Sequence, residues 1–276
     1  MSSTIQRQRA AARARLERQM GERLEESRKR KQRNAVIGAG LALLLVVGGV
    51  VWAVTAMSGD DDKGAAAAGA SPSPVAQQCA WAPEDTTANK NLKDVGTPPT
   101  KDIATKGTQT MTIALNSGTV EVEVNTAKAP CTAASMTYLA SKKFFDNTKC
   151  HRLTTEGIKV LQCGDPSGTG MGGPSYKMAE ENLPNVTDPT TAYPPGTIAM
   201  ANTGQPGSTG SQFFIVYDTS QLGPNYTVLG KVTKGLDVVK KIGETGAVKD
   251  GKSAPDGEPK NPVTITSLTV TPPSAS

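Results

Sequence analysis

The chain has 276 residues and a formal net charge of +5, with 28 Gly, 19 Pro, 4 Cys and a single histidine, His151. One imidazole excludes a zinc site built on several histidines, and any Ser/His/Asp or Cys/His triad would have to run through His151. The basic balance belongs to one end: residues 1–33 carry eleven Lys/Arg against four Glu, so the remainder is near neutral and implies no nucleic-acid-binding surface.

Residues 1–34 read as a basic cytoplasmic tail. Residues 35–57 follow as AVIGAGLALLLVVGGVVWAVTAM, 23 positions without a charge. A helix of that length spans about 34 Å, enough for a hydrocarbon core of about 30 Å, so a single transmembrane helix is predicted. Basic residues before it and Asp60, Asp61 and Asp62 after it orient the N-terminus to the cytoplasm and the bulk of the chain outside. A cleaved signal peptide is the alternative reading of the same stretch. Residues 58–106 form a linker, rich in Ala, Gly, Ser and Pro as far as Gln78, and the stretch with Cys79 and Trp81 docks on the following domain if Cys79 is bridged to it.

All four cysteines, Cys79, Cys131, Cys150 and Cys163, lie beyond the span. An even count in an exported segment reads as two disulfides. Spacing leaves three pairings open; the favoured one joins Cys131 to Cys150 and Cys79 to Cys163, pinning the linker end to the domain. No C-x-x-C spacing occurs, and no metal site is expected.

The main domain is placed at 107–272, with a short tail at 273–276. Residues 109–115 and 119–124 are β-branched runs, the second (TVEVEV) alternating with period two, and they predict a hairpin with one wet face. A helix is expected within 126–142, after Pro130, and a second over 236–242. Short strands are predicted at 150–153, 158–162, 196–201, 212–217, 228–232 and 263–271. Some eight short strands with two helices point to a mostly β, antiparallel architecture that closes into a barrel or sandwich. Gly168, Gly170 and Gly173 satisfy G-x-G-x-x-G, but no apolar strand precedes the run and no helix follows it, so it is read as a flexible loop instead of a nucleotide site.

Five segments carry the chemistry: Cys150-His151-Arg152-Leu153, Leu161-Gln162-Cys163-Gly164-Asp165, Gly196-Thr197-Ile198-Ala199-Met200-Ala201-Asn202, Gly210-Ser211-Gln212-Phe213-Phe214-Ile215 and Val228-Leu229-Gly230-Lys231-Val232. Together, and collinear over about 107–271, they resemble the signature of the cyclophilins, peptidyl-prolyl cis-trans isomerases, and specifically a membrane-anchored bacterial form. The resemblance implies an eight-stranded antiparallel closed β-barrel capped by two α-helices. It also implies a catalytic arginine at Arg152 and substrate contacts from Val160, Gln162, Ala201, Asn202, Thr203, Gln212, Phe214, Leu222 and Tyr226. Gln162, Asn202 and Gln212 would hydrogen-bond the substrate backbone, and Val160, Ala201, Phe214 and Leu222 would form the proline pocket. His151 is expected to be structural rather than a base. No cofactor is implied, the partners are proline-containing polypeptides, and the chain is expected to act as a monomer at the cell membrane with the domain outside.

Two departures stand out. Lys159 sits where a phenylalanine is usual, removing an aromatic wall. Gln221 replaces a tryptophan that many members use to bind cyclosporin. These substitutions support a second reading, a proline-peptide-binding module with the same groove and little turnover.

Overall fold

The computed structural model describes residues 79–274. The strands, in chain order, begin with β1 (Ala82–Pro83), β2 (Leu92–Lys93), β3 (Thr108–Leu115) and β4 (Gly118–Asn125), followed by helix α1 (Pro130–Ser141). Next come β5 (Thr148–Lys149), β6 (Arg152–Thr154), β7 (Val160–Cys163), β8 (Gly173–Pro174), β9 (Tyr176–Lys177), β10 (Thr197–Met200), β11 (Phe213–Val216) and β12 (Val228–Lys234). Helix α2 (Leu236–Thr245), β13 (Ala247–Lys249), β14 (Lys252–Ala254), β15 (Asp256–Pro259) and β16 (Thr264–Val270) complete the described chain.

Alternation builds the first hairpin. Met111, Ile113 and Leu115 of β3 and Val120, Val122 and Val124 of β4 all point inward, while Glu123 stays in water, and the strands pair in one unbroken register from Thr108↔Asn125 to Leu115↔Gly118. Helix α1 opens on Pro130, where the missing N–H costs nothing, and buries Ala133, Met136 and Leu139. Its Thr132 N–H is taken by the carboxylate of Glu181, 49 residues away, a long-range cap that also places negative charge at the positive helix end. Helix α2 buries Val239 and Ile242.

Twelve strands form one sheet, ordered β14-β13-β15-β6-β7-β11-β10-β12-β4-β3-β16-β5, antiparallel throughout. This corrects the expected closed eight-stranded barrel. Eight of its strands answer to the predicted runs; the four others are β5, two residues long, and β13, β14 and β15, drawn from a Gly-, Lys- and Pro-rich stretch without apolar alternation. The ladder does not close because the chain leaves β5 and enters β6 with only Cys150 and His151 between them. Cys150 N–H still bonds Val263 O at 2.9 Å beside β16, and the chain then turns away to pair with β7 and β15. At this seam the disulfide from Cys150 to Cys163 ties the link between β5 and β6 to the end of β7, just beyond the Arg152↔Gln162 pair.

The transmembrane helix expected over 35–57 is not among the elements the structure describes. That stretch lies outside the described residues, as do the basic tail and the linker to residue 78, and among the described residues no helix is long and apolar enough to cross a membrane.

The cysteines pair as Cys79 with Cys131 and Cys150 with Cys163, not in the favoured arrangement. Residues 79–106 form a strap over helix α1 and the 171–177 segment. There β1 pairs with β9, β2 runs parallel to β8, Trp81 meets the Tyr176 ring edge-on at 5.4 Å, and Tyr138 Oη donates to Val95 O at 2.6 Å. Closing the loop between Cys79 and Cys131, 52 positions apart, removes unfolded-chain entropy worth about 4 kcal/mol. Replacing Cys79 and Cys131 together by serine should therefore lower stability by about that amount in urea unfolding, and hydrogen exchange in the strap should quicken.

Candidate active site

Strands β7, β10 and β11 are buried on both faces. Leu161, Ile198, Met200, Phe213 and Ile215 enter the main core, whereas Val160, Ala199, Phe214 and Val216 form a separate cluster on the opposite face with Ala192 and Tyr193. The registers Arg152↔Gln162, Gln162↔Phe214 and Phe214↔Ala199 run straight across β6, β7, β11 and β10. Directly opposed residues share a face, so a cation, an amide, an aromatic ring and a methyl group stand in one row.

The guanidinium of Arg152 is held at three points. Nε and Nη2 donate to the two carboxylate oxygens of Asp256, each at 2.8 Å, and Nη1 donates to Gln162 Oε1 at 3.2 Å. Gln162 Nε2 in turn donates to Gln212 Oε1 at 2.9 Å, and Gln212 Nε2 donates to the carbonyls of Gly170 (3.0 Å) and Gly172 (2.9 Å). The hydrogen bonds with Arg152 hold the Asp256 carboxyl below the ordinary range.

Beside this chain lies a cavity of about 140 Å³, lined by Arg152, Val160, Gln162, Ala201, Asn202, Phe214, Leu222 and Tyr226, with Ile158 added. Thr203 and Gln212 line a neighbouring cavity of about 110 Å³, which shares Gln162, Ala201 and Asn202 with the first. The sequence-predicted set is thus brought to one face and divided between two adjoining hollows. Asn202 spends its amide N–H on Asn225 O at 2.9 Å and its Oδ1 on the N–H of Gly204.

Lys159 takes no part in the cavity wall: its ammonium pairs with Asp218 at 2.7 Å. Aromatic character comes instead from two tyrosines around Phe214. Its ring meets Tyr226 edge-on at 5.4 Å and Tyr193 at 6.1 Å. Tyr193, which sequence reasoning missed, donates its hydroxyl to Tyr226 O (2.9 Å) and accepts from Tyr226 N–H (2.8 Å), fixing that residue's backbone. Burial pushes the Tyr193 phenol up to about 12, so it stays a donor at neutral pH. Gln221 is exposed and ties its N–H to Gly157 O. The His151 ring nitrogens are buried with no well-formed hydrogen bond, and burial, helped by the Arg152 charge, pushes the imidazole below its usual value against the pull of Asp165, the nearby Gln212 side chain and Glu258. A buried ring held neutral serves packing and not proton transfer.

The loop read as flexible is wrapped around a buried carboxylate. Asp165 receives the N–H and hydroxyl of Ser167 (both 2.7 Å) and the N–H groups of Gly170 (2.6 Å) and Gly172 (3.1 Å). Burial raises its pKa, and these bonds overcome burial and hold it below the ordinary range. Gly172 is required here, since a Cβ would lie 2.0 Å from Asp165 Oδ1 and 2.8 Å from Asn91 O in the strap. The strap also holds this loop through Asn89 Nδ2, which donates to Met171 O at 3.0 Å.

With this geometry in view, the model of the family described as "Cyclophilin type peptidyl-prolyl cis-trans isomerase/CLD" matches residues 110–270. The chain belongs to the cyclophilin family. Among its relatives, the "Probable peptidyl-prolyl cis-trans isomerase B" of Mycobacterium leprae is 44% identical over 193 residues, covering 66% of this chain and 64% of the relative. The protein of the same description in Mycobacterium tuberculosis is 41% identical over 191 residues, covering 65% and 60%. The match therefore spans less than two thirds of either relative's length. The crystal structure of a Cryptosporidium parvum cyclophilin type isomerase superposes with a TM-score of 0.51 at 24% identity, covering 60% of this chain and 99% of that one, a likeness of fold.

Because the Asp165 pKa is depressed in the folded cyclophilin domain, its contribution to stability is in full force above the unfolded carboxylate value near 4 and is lost as pH falls through the folded value. Asp165→Ala should remove it at neutral pH, costing about 2–4 kcal/mol by orphaning several donors. Hydrogen exchange should then quicken at Gly170 and Gly172.

Proposed function

We propose that this protein is a peptidyl-prolyl cis-trans isomerase acting on X-Pro bonds of exported or cell-surface polypeptides. The observation that carries the reading is the row Arg152, Gln162 and Phe214 across three paired strands, lining a small cavity that has polar side chains on one side and apolar ones on the other. Phe214, Val160, Leu222 and Tyr226 offer a floor for a pyrrolidine ring and keep water from the adjoining amide.

The reaction breaks no covalent bond. Rotation about the C–N bond faces a barrier of about 18–20 kcal/mol because it destroys amide resonance, and the twisted state localises a lone pair on the proline nitrogen. A permanently charged guanidinium aimed at that nitrogen stabilises the twisted state more than either planar one, which is the condition for acceleration. Gln162 and Gln212, locked to each other and to the 170–172 loop, hold the arginine's neighbours still. Nothing in this chemistry calls for a base, in keeping with a neutral His151.

The compartment is read from two disulfides among the described residues, a pairing at home in an oxidising environment, and from the basic residues ahead of the uncharged 35–57 stretch. On this reading the domain works outside the cytoplasm, held at the cell membrane. Protease added to intact cells should digest the domain, with all four thiols found oxidised; a protected pool of reduced thiols would overturn the assignment.

With the full chain and a short Ala-Pro peptide, cis-to-trans exchange should accelerate, and Arg152→Ala should lower kcat/KM at least about tenfold, about 1.4 kcal/mol of transition-state stabilisation. A folded protein that binds the peptide without accelerating exchange would make it a proline-binding module. Phe214→Ala should act mainly on KM, by emptying the floor under the ring.

A further inference from the structure

The loop between α2 and β16 supplies a residue that the family resemblance did not single out. Strand β15 joins the sheet at β6 through Asp256↔Thr154 and Gly257↔Leu153. Arg152 lies two positions from Thr154 on the same strand face, diagonal to Asp256, within reach of a long side chain. Strand β15 comes this close to β13 only because position 257 is glycine: a Cβ there would lie 2.2 Å from Val248 O. The backbone thus presents the Asp256 carboxylate edge-on to the guanidinium, and both oxygens are used.

A guanidinium has five N–H groups. Nε–H and one Nη2–H go to Asp256 and one Nη1–H goes to Gln162, so one N–H on each terminal nitrogen stays available. Arg152 reaches both the 140 Å³ cavity and a larger open groove of about 770 Å³ walled by Lys249, Asp250 and Glu258. As a source of stability the ion pair is weak, because its side chains are 37% and 54% exposed. Its two-point geometry has a different consequence: it fixes the plane of the guanidinium, which a single bond to Gln162 would leave free to turn.

We propose that Asp256 is the positioning residue for Arg152, fixing the plane of the arginine fork so that its free N–H groups stay on the twisting amide. This rests on the isomerase reading above. Asp256 touches no substrate and acts through the arginine alone.

The test is a double-mutant cycle in the full chain, with kcat and KM for an Ala-Pro peptide measured in wild type, Asp256→Asn, Asp256→Glu, Arg152→Ala and the Asp256→Asn/Arg152→Ala pair. Asp256→Asn should lower kcat by roughly tenfold to hundredfold, the scale expected of a misplaced catalytic group, with KM little changed and the urea midpoint unmoved. Asp256→Glu should recover part of the loss, and Asp256→Asn should cost nothing further once Arg152 is alanine. Equal losses in both backgrounds, a loss confined to KM, or full activity in Asp256→Asn would overturn the proposal. If wild type itself accelerates nothing, the isomerase reading falls and the positioning claim is decided by the Arg152 Nε–H resonance. Protection from exchange in wild type that vanishes in Asp256→Asn upholds it, and a signal unprotected in wild type or unchanged in the variant overturns it.

Discussion

The antiparallel register of β6, β7, β11 and β10 is the constraint on which the site depends. Side chains alternate with a period of two, so Leu161 and Cys163 face the core while Val160 and Gln162 face the site, and Phe213 and Ile215 are divided from Phe214 and Val216 in the same way. A slip of one residue in β7 would bury Gln162 and expose Leu161, reversing every neighbour at once. The apolar residues on the core face therefore enforce the alignment of the polar ones, and the row of Arg152, Gln162 and Phe214 needs no separate element to position it.

Two covalent ties reinforce that alignment. Cys150 immediately precedes His151 and Arg152, Cys163 immediately follows Gln162, and the bond between them fastens the strand bearing the arginine to the strand bearing the amide at the end of their short ladder. The second bond fastens the strap to helix α1, and the strap in turn holds the loop whose carbonyls accept from Gln212. Order thus passes from Cys79 through the strap, the Asp165 loop and Gln212 to Gln162 and Arg152, each link a named hydrogen bond or disulfide.

The legible parts of the site were those written in local runs. CHRL, QFFI and the AN pair carry the resemblance to the cyclophilins, which points to Arg152, Phe214, Gln212 and Asn202, and a strand transmits the spacing within each run directly into position on a face. Tyr193 and Asp256 carried no such signal, and the run ending in Asp165 did not reveal that residue's part in holding the loop. Tyr193 acts from a loop through its hydroxyl on Tyr226, Asp165 through turns that glycine and serine accommodate without any apolar pattern, and Asp256 from 104 residues away. Lys159 supplies no wall to the cavity and turns to Asp218, and what the sequence did not show is that tyrosines from elsewhere in the chain surround Phe214.

The sequence by itself determined the mostly β character and the β3–β4 hairpin with its two faces, which follow from residue type at short, regular spacing, and its resemblance to the cyclophilins pointed to the family and to the row of Arg152, Gln162 and Phe214. Only the tertiary structure decided that the sheet has twelve strands with a seam, how the cysteines pair, and that Asp256 grips Arg152. Those depend on contacts between segments distant in the chain, where two-residue strands leave no period to read, several cysteine pairings satisfy the same count, and a carboxylate finds its guanidinium only after the backbone between them has folded.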